Sequence, residues 1–557
     1  MPLGWQVVRG WLPVAGAAAM AIALTLRATA HYGPGAEPDT VTYLAAARHL
    51  RAGHGFADMD GSPLTLFPPL FPAAVAVLEW FGLSPLPAAR LLNAAMFGLL
   101  VELTAAWTRR ISGSAPLGAA VALIVAVATP MVAMASNALS EPVGIVLVVA
   151  CLALLTEAFR TGGASAPEGR PPGGPMSRLW TGGSGFALLA GLAAGLACLT
   201  RYASVVLFPV GLVVLLFRPG RWTARIRLPA LFLTAGLLPF GAWLARNVAA
   251  AGNATGDGRG TSALTLAASL KLTLAAVGAW VLPGSVPVTA RAVVGAGLWV
   301  GVAGALLLAA RAERRRGRTV DGGAAGAATG AAVGAAAGPA AGMGLGPAGL
   351  ALPATLFVVL GVGSVAWFEA TMAIDPPPRF LLPVFVPLLV GAAVLAAEVV
   401  RRRAWRPVAT GALVAVVVVA WLPGLGDFFD KADRKGLLDY STPAWASSPF
   451  LSYLKDHPLQ GAVASNDPYI LDLRLGIPAW LTPARTYYAS TKPTDELPRF
   501  LHRAAGAAAT GGLSVVWFPR SYQGYFYSLA DLERALCLTV ERHFADGDLL
   551  RTCRAGT

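Results

Sequence analysis

The stretch GPGAEPDTVTYLAAARHLRAGHGF, residues 33–56, decides the fold because it joins a membrane segment to a polar helix. It follows residues 11–29, an apolar run long enough to cross a bilayer, and it opens with Glu37 and Asp39. Four residues with helical spacing share one face of the sequence that follows: Tyr43, Leu44, Ala47 and Leu50. We therefore predict an amphipathic helix over residues 40–51 at a membrane interface, with two carboxylates at its start.

The composition of the whole chain indicates a polytopic membrane protein. Of its 557 residues, 56% are hydrophobic and only 13% are charged, and the mean hydropathy is positive. The net charge of +14 comes from arginines grouped between apolar segments. No basic stripe is interleaved with aromatic residues, which argues against a nucleic-acid partner.

Eleven segments are apolar enough and long enough to be predicted as transmembrane helices. They cover residues 11–29, 88–107, 115–135, 141–159, 185–200, 203–217, 228–246, 289–310, 351–371, 380–399 and 406–423. The first follows Arg9 and resembles a signal peptide, but its length and the later spans favour a retained anchor.

The distribution of arginine predicts which loops face the cytoplasm. Alternate threading places five basic clusters on one side, at residues 107–110, 159–178, 218–227, 311–318 and 401–406. By the positive-inside rule that side is cytoplasmic, as is the N-terminus. The first loop (residues 30–87) and the C-terminal region are then outside. Residues 160–184 and 311–350, rich in Gly, Ala, Pro and Ser, are predicted to be flexible cytoplasmic loops.

The first loop contains a second helical pattern, and the chain ends in a polar region. Residues 63–83 place prolines around an apolar run, which favours an interfacial or re-entrant helix over a full span. The C-terminal domain (residues 424–557) mixes short patterns typical of a small α/β domain. We predict strands at 461–466 and 513–519 and helices at 450–457 and 528–538.

The four cysteines fall into two groups. Cys151 and Cys198 lie in apolar segments and are interpreted as packing residues. Cys537 and Cys553 lie in the C-terminal domain, where export would allow them to form a disulfide. No Cys/His cluster has metal-ligand spacing, so no metal site is predicted.

Several short motifs, taken in order, carry a resemblance to a known family. An acid follows the first span, then come FPPLFP (67–72), SEP (140–142), LTR (199–201) and RFLLPV (379–384). This series resembles the GT-C superfamily of membrane glycosyltransferases over residues 10–423. The resemblance is closest to the branch with protein O-mannosyltransferases and the lipid A aminoarabinose transferase.

The resemblance implies a transferase that moves a sugar from a polyprenyl phosphate to an acceptor outside the membrane. The acceptor is an unidentified glycan, lipid or protein, and no cofactor other than the lipid-linked donor is expected. In such families the acid at the position of Asp39 is the candidate general base. Asp39 equally suits a helix N-cap, and the two roles are compatible because a helix N-terminus favours an ionised carboxylate. Many members show two adjacent acids here, whereas Thr40 follows Asp39 in this chain.

Charged residues at the ends of apolar segments are the other candidates for the site. Arg379 and Arg201 are predicted to contact the donor phosphate, and the alternative is that each anchors its helix at the headgroups. Glu141 opens a span and either orients the acceptor or caps its helix. Tyr43, on the interfacial helix, completes the predicted substrate-binding set.

Two other functions fit the same sequence. A lipid or solute transporter, including a flippase, would also have many spans and interfacial arginines, although no internal repeat is evident. A non-enzymatic envelope scaffold would display the C-terminal domain without a shared chamber for Asp39 and the arginines. The abundance of Ala, Gly and Arg is typical of a bacterial chain, so a bacterial plasma membrane is the predicted location.

Overall fold

The structure is a computed structural model that describes most of the chain. The described residues are 3–161, 183–218, 222–256, 264–282, 285–304, 347–371, 378–400, 406–486, 492–510 and 512–553. The two predicted flexible loops fall largely on residues 162–182 and 305–346, outside the described residues.

Helices dominate the first three quarters of the chain. In chain order they are α1 (Leu3–Ala28), α2 (Pro38–Arg51), α3 (Leu70–Trp80), α4 (Pro85–Ser112), α5 (Ala115–Val127), α6 (Thr129–Ala135), α7 (Glu141–Arg160), α8 (Ser184–Cys198), α9 (Leu207–Leu216), α10 (Trp222–Ala251), α11 (Leu266–Gly278), α12 (Val288–Gly304), α13 (Pro347–Leu350), α14 (Leu352–Thr371), α15 (Leu382–Val400) and α16 (Arg406–Lys435). Short 3-10 helices, Tyr202–Val206 and Pro378–Leu381, precede α9 and α15.

The predicted membrane segments coincide with helices, and the protein is a multi-pass membrane protein. Within the described residues, five helices are long and apolar enough to span a bilayer: α1 from Trp11, α4, α7, α10 and α14. The bent pair α5–α6 makes a sixth. Other apolar helices reach only 10–17 residues within the described part of the chain, so the count of eleven spans stays a prediction.

The bend between α5 and α6 was not predicted from the apolar run at residues 115–135. The two helices meet at 61°, and Ala128 between them has extended backbone angles. Pro130 lies in the first turn of α6, where its missing N–H costs no helical hydrogen bond. The proline therefore starts a new helix instead of continuing α5.

Close packing of α8 on α10 depends on glycine. A Cβ atom on Gly191 would lie 2.1 Å from the carbonyl oxygen of Phe232. One on Gly195, a turn later, would lie 2.4 Å from that of Gly236. This is the small-residue spacing that lets membrane helices approach closely.

The first loop forms the two predicted helices, α2 and α3. The apolar face of α2 packs against α3 and the starts of α4 and α7 in one cluster that includes Tyr43, Leu44 and Phe71. Arg246 of α10 holds the rest of the loop, donating to the carbonyl oxygens of Leu64 at 2.6 Å and Phe56 at 2.9 Å. The loop is thus fixed on the helical bundle.

The C-terminal domain is built on a mixed five-stranded sheet. Its strands are β1 (Ala462–Ser465), β2 (Trp480–Leu481), β3 (Leu513–Trp517), β4 (Leu538–Phe544) and β5 (Gly547–Thr552), in the order β2-β1-β3-β5-β4. Strand β1 is parallel to β2 and β3, whereas β5 is antiparallel to β3 and β4. Helices α17 (Pro443–Ala446), α18 (Pro449–Asp456), α19 (Pro468–Leu475), α20 (Glu496–Thr510) and α21 (Leu529–Leu536) surround it. The strands predicted at 461–466 and 513–519 and the helices at 450–457 and 528–538 are confirmed.

Two further features concern the C-terminal domain. Helix α16 runs through residue 424, so the predicted domain boundary falls inside a helix. Cys537 and Cys553 form a disulfide whose Cα atoms are 5.6 Å apart, a separation typical of disulfides. Cys151 and Cys198 are buried and free.

Candidate functional site

Gly35 fixes the segment that leads into α2. Its N–H donates to Ser136 at 2.9 Å, and its carbonyl accepts from Ala138 at 2.8 Å, so residues 35 and 137 pair as in a parallel sheet. A Cβ atom at residue 35 would lie 2.1 Å from Asn137 Oδ1 and 3.1 Å from Leu437 Cβ. Only glycine fits this position without movement of its neighbours, and the pairing brings the start of α2 to the start of α7.

The first turn of α2 differs from the expected arrangement. Glu37 occupies the N-cap position, Pro38 is the first helical residue and Asp39 the second. The N–H of Glu37 donates to Thr40 Oγ1 at 3.2 Å. The capping role considered for Asp39 is therefore wrong, although its carboxylate still lies in the first turn, where the helix dipole favours negative charge.

Arg379, in the 3-10 helix that precedes α15, contacts this turn although it lies far away in the sequence. Its Nη1 forms an ion pair with Glu37 Oε1, and its Nη2 donates to Asp39 Oδ2 at 3.0 Å. Its Nε lies 3.9 Å from Glu141 Oε1. The guanidinium thus bridges Glu37 and Asp39 and faces a third carboxylate.

Glu141 and Arg201 form a second, more buried pair. Arg201 Nη1 lies 2.6 Å from Glu141 Oε1, an ion contact without hydrogen-bond geometry. The Glu141 side chain is 3% exposed and that of Arg201 is 16% exposed. Glu141 is also the first residue of α7 with Pro142 after it, so it favours the helix start while pairing with arginine.

Phe380 lies close to both arginines. The guanidinium carbon of Arg201 is 5.1 Å from its ring centroid and that of Arg379 is 5.5 Å away. Both distances are within the range of cation–π attraction. One aromatic ring is thus within reach of both guanidinium groups.

Tyr43 lies next to this cluster but is buried. Its hydroxyl is 3.3 Å from Ser140 Oγ, and its ring packs edge-on against Phe67 and Phe71. The residue is 3% exposed, and burial raises the pKa of its phenol. Tyr43 therefore positions α2 against the start of α7, and its contact with substrate stays a prediction.

The cluster carries three carboxylates and two guanidinium groups. Burial raises the pKa of Glu37 from 4.5 to about 7, with the charges of Asp39 and Glu141 adding to the rise and Arg379 opposing it. The excess of acids leaves one carboxylate incompletely compensated. The cluster therefore accommodates a further cation or proton better than a further anion. An anion is accommodated when one arginine leaves its carboxylate partner.

Four of the predicted residues meet at this place: Asp39, Glu141, Arg201 and Arg379. The cysteine pair lies elsewhere, in the C-terminal domain. Glu37 was not among the predicted site residues, yet it caps α2 and pairs with Arg379. Ser140 and Phe380 were also missed, although both lie within the quoted SEP and RFLLPV motifs.

Comparison with known proteins gives matches in structure. No protein-family model matches the chain, and no curated protein matches its sequence. The structure of ArnT from Cupriavidus metallidurans bound to undecaprenyl phosphate is similar, with a TM-score of 0.57 and 16% identity over 100% of this chain and 99% of that one. The same protein in the apo state has a TM-score of 0.58 and 15% identity, with 99% of each chain covered.

A second similar protein is the archaeal oligosaccharyltransferase AglB from Archaeoglobus fulgidus, in complex with an inhibitory peptide and a dolichol-phosphate. Its TM-score is 0.51 and its identity is 10%, over 94% of this chain and 70% of that one. These proteins are GT-C glycosyltransferases. The GT-C fold that the resemblance predicted is therefore confirmed.

Proposed function

We propose that this protein is a glycosyltransferase that moves a sugar from a polyprenyl phosphate to an acceptor hydroxyl. One observation carries the proposal: Asp39, Glu141, Arg201 and Arg379 come from four distant segments and converge on one cluster. The fold around the cluster is similar to that of ArnT bound to undecaprenyl phosphate. The transporter and scaffold alternatives have no comparable support.

Asp39 is the proposed general base. It takes the proton of the acceptor hydroxyl while the hydroxyl oxygen attacks the anomeric carbon of the sugar. The bond between that carbon and the phosphate oxygen breaks, and its electron pair leaves with the polyprenyl phosphate. Attack from the face opposite the phosphate gives inversion at the anomeric carbon.

The two arginines are proposed to hold the phosphate. Arg379 is 27% exposed and Arg201 is 16% exposed, and the planar guanidinium matches phosphate oxygens. In the structure both arginines are paired with carboxylates, so the phosphate of the donor takes the place of some of these partners. When Arg379 turns to the phosphate, Asp39 loses its cation and becomes a stronger base. Donor binding thereby prepares the acid for proton transfer.

We further propose that the reaction takes place on the outer face of the plasma membrane. The five arginine clusters support a cytoplasmic location for the opposite loops. The disulfide between Cys537 and Cys553 supports an oxidising environment for the C-terminal domain. Both observations agree with a donor presented in the outer leaflet.

The experiment incubates the purified protein with radiolabelled polyprenyl-phosphate sugars and a membrane extract that supplies acceptors. Wild-type protein is expected to transfer label, and Asp39→Asn is expected to lower the rate by about 10²-fold or more, the usual size of a general-base effect. Asp456→Asn is the matched control, because Asp456 is an exposed residue at the end of α18. Full activity of a folded Asp39→Asn variant would show that another group is the base.

A further inference from the structure

A cleft of about 370 Å³ lies between the first loop and the C-terminal domain. One wall is formed by residues 58–62 of the first loop, and the other by α19, β2 and α20. This volume lies within the range of small-molecule sites in proteins. None of the acids or arginines in the cluster around Asp39 lines it, so the cleft is a separate feature.

The wall of the cleft combines aromatic rings with hydrogen-bond donors and acceptors. Trp480 and Tyr469 supply ring surface, and the guanidinium carbon of Arg503 lies 4.0 Å from the Trp480 ring centroid, which orients that ring. Carboxylates from both walls provide acceptors: Asp58, Asp60 and Glu496.

This mixture favours a particular ligand chemistry. Sugar rings present C–H faces that pack on aromatic rings and hydroxyls that donate to carboxylates and accept from arginine. A phosphate or another anion would meet three carboxylates against two arginines, Arg499 and Arg503, so the lining carries an excess of negative charge. A lipid chain would cover those carboxylates with hydrocarbon, which offers them no hydrogen bond. The lining therefore fits a neutral saccharide best.

Tyr469 connects the cleft to the cluster at α2. It lines the cleft, and burial raises the pKa of its phenol together with the nearby charges of Asp58 and Asp39. Its helix, α19, also contacts α2 through an ion pair between Asp472 and Arg48. A molecule in the cleft thus lies beside the helix that carries Asp39.

We infer that this cleft binds a neutral oligosaccharide, which is the part of the acceptor that lies beyond the reacting hydroxyl. The assignment of that oligosaccharide to the acceptor rests on the proposed function, whereas saccharide binding by the cleft does not. The cleft would place the sugar chain of the acceptor along α19 and direct its end toward Asp39.

The test measures binding of mannotriose and arabinotriose to the full chain in lipid nanodiscs, by saturation-transfer NMR and calorimetry. At least one trisaccharide is expected to bind wild-type protein. Trp480→Ala and Asp60→Asn are expected to weaken binding about tenfold, the size of one lost aromatic or hydrogen-bonded contact. Asp60 is exposed in the loop, so its replacement keeps the test independent of folding.

The control variant is Tyr522→Ala, which removes a 41% exposed aromatic ring of the same domain outside the cleft and should leave binding unchanged. Asp39→Asn should also bind the trisaccharide normally. If transfer is never observed but binding depends on Trp480 and Asp60, the proposed function fails and the saccharide site stands. Absence of binding by both trisaccharides, or binding that is insensitive to both cleft variants, would overturn the inference. The inference would also be overturned if a peptide acceptor competed for the cleft and no saccharide did.

Discussion

At the scale of single residues, Arg379 holds the candidate site together. It contacts Glu37 and Asp39 of α2 and approaches Glu141 of α7, so one guanidinium links three acids. A planar fork can serve two carboxylates at once, or a carboxylate and a phosphate, whereas an ammonium group is a single compact charge. The function of this position is therefore expected to depend on shape as well as charge.

Arg379→Lys tests that dependence. The variant keeps the positive charge but loses the fork, and transfer is expected to fall about 10²-fold, as when one preorganised donor is lost from a charged transition state. Initial rates at saturating donor provide the measurement. Arg434→Lys is the control, because Arg434 forms an exposed pair with Asp430 on the helix surface. Equal rates for Arg379→Lys and wild type would exclude a role for the fork.

Glu37→Gln tests the electrostatic balance of the cluster. Because the pKa of Glu37 is raised from 4.5 to about 7 on folding, the folded state favours the protonated form. Its contribution to stability is complete below pH 4.5 and is lost as the pH rises through 7. The thermal midpoint of Glu37→Gln should equal that of wild type at pH 4 and exceed it at pH 8. A lower midpoint for the variant at pH 8 would show that the ion pair with Arg379 outweighs burial.

The sequence indicated most of these residues but not all. Asp39 was indicated by the family resemblance, and Glu141, Arg201 and Arg379 by their charge at the end of an apolar segment. Glu37 was not, because its partner Arg379 lies 342 positions away. No local pattern contains such a contact, and a residue before proline looks like loop when considered alone.

At the scale of elements, the site depends on how α2 is joined to α7. The pairing of Gly35 with the segment before α7 fixes the start of α2, and Tyr43 holds the helix against Ser140. The helices themselves were predictable from apolar runs and amphipathic spacing. The bend at Ala128 was not predictable, since it depends on a proline within an otherwise apolar run. The pairing at Gly35 was not predictable either, since it depends on contacts between distant segments.

Gly35→Val is expected to disturb this joint. The new side chain would overlap Asn137 and approach Leu437, at a cost of about 1–3 kcal/mol for overpacking. Displacement of Glu37 and Asp39 should lower the transfer rate further than the loss of folded protein explains. The measurement pairs thermal unfolding with specific activity of the folded fraction. Gly524→Ala, where no atom lies within 4 Å of the added Cβ, is the control, and equal behaviour of the two variants would contradict this account.

At the scale of the whole molecule, the C-terminal domain supports the first loop directly. The N–H of Tyr440 donates to the carbonyl of Ala36 at 3.0 Å, and Ser441 Oγ donates to that of Pro34. Ala36 and Val41 belong to the same apolar cluster as Phe450 and Phe518 of the domain. The segment that carries Glu37 and Asp39 is thus held between the helical bundle and the domain.

The disulfide is expected to stabilise that domain. Cys537 and Cys553 are 16 positions apart, and closing a loop of this length in the unfolded chain is worth about 3 kcal/mol. Reduction, or the Cys537→Ala and Cys553→Ala double variant, should lower the unfolding temperature of the domain. Cys151→Ala, which removes a buried thiol with no disulfide, is a control that should not respond to reductant. An unfolding temperature unaffected by reductant would contradict the prediction.

The most direct test of the central claim is an experimental structure with a bound polyprenyl-phosphate sugar. The account predicts phosphate oxygens within hydrogen-bond distance of Arg379 and Arg201, with the Asp39 carboxylate released from Arg379 and facing the anomeric carbon. A donor bound elsewhere, with Arg379 still paired to Glu37 and Asp39, would contradict it.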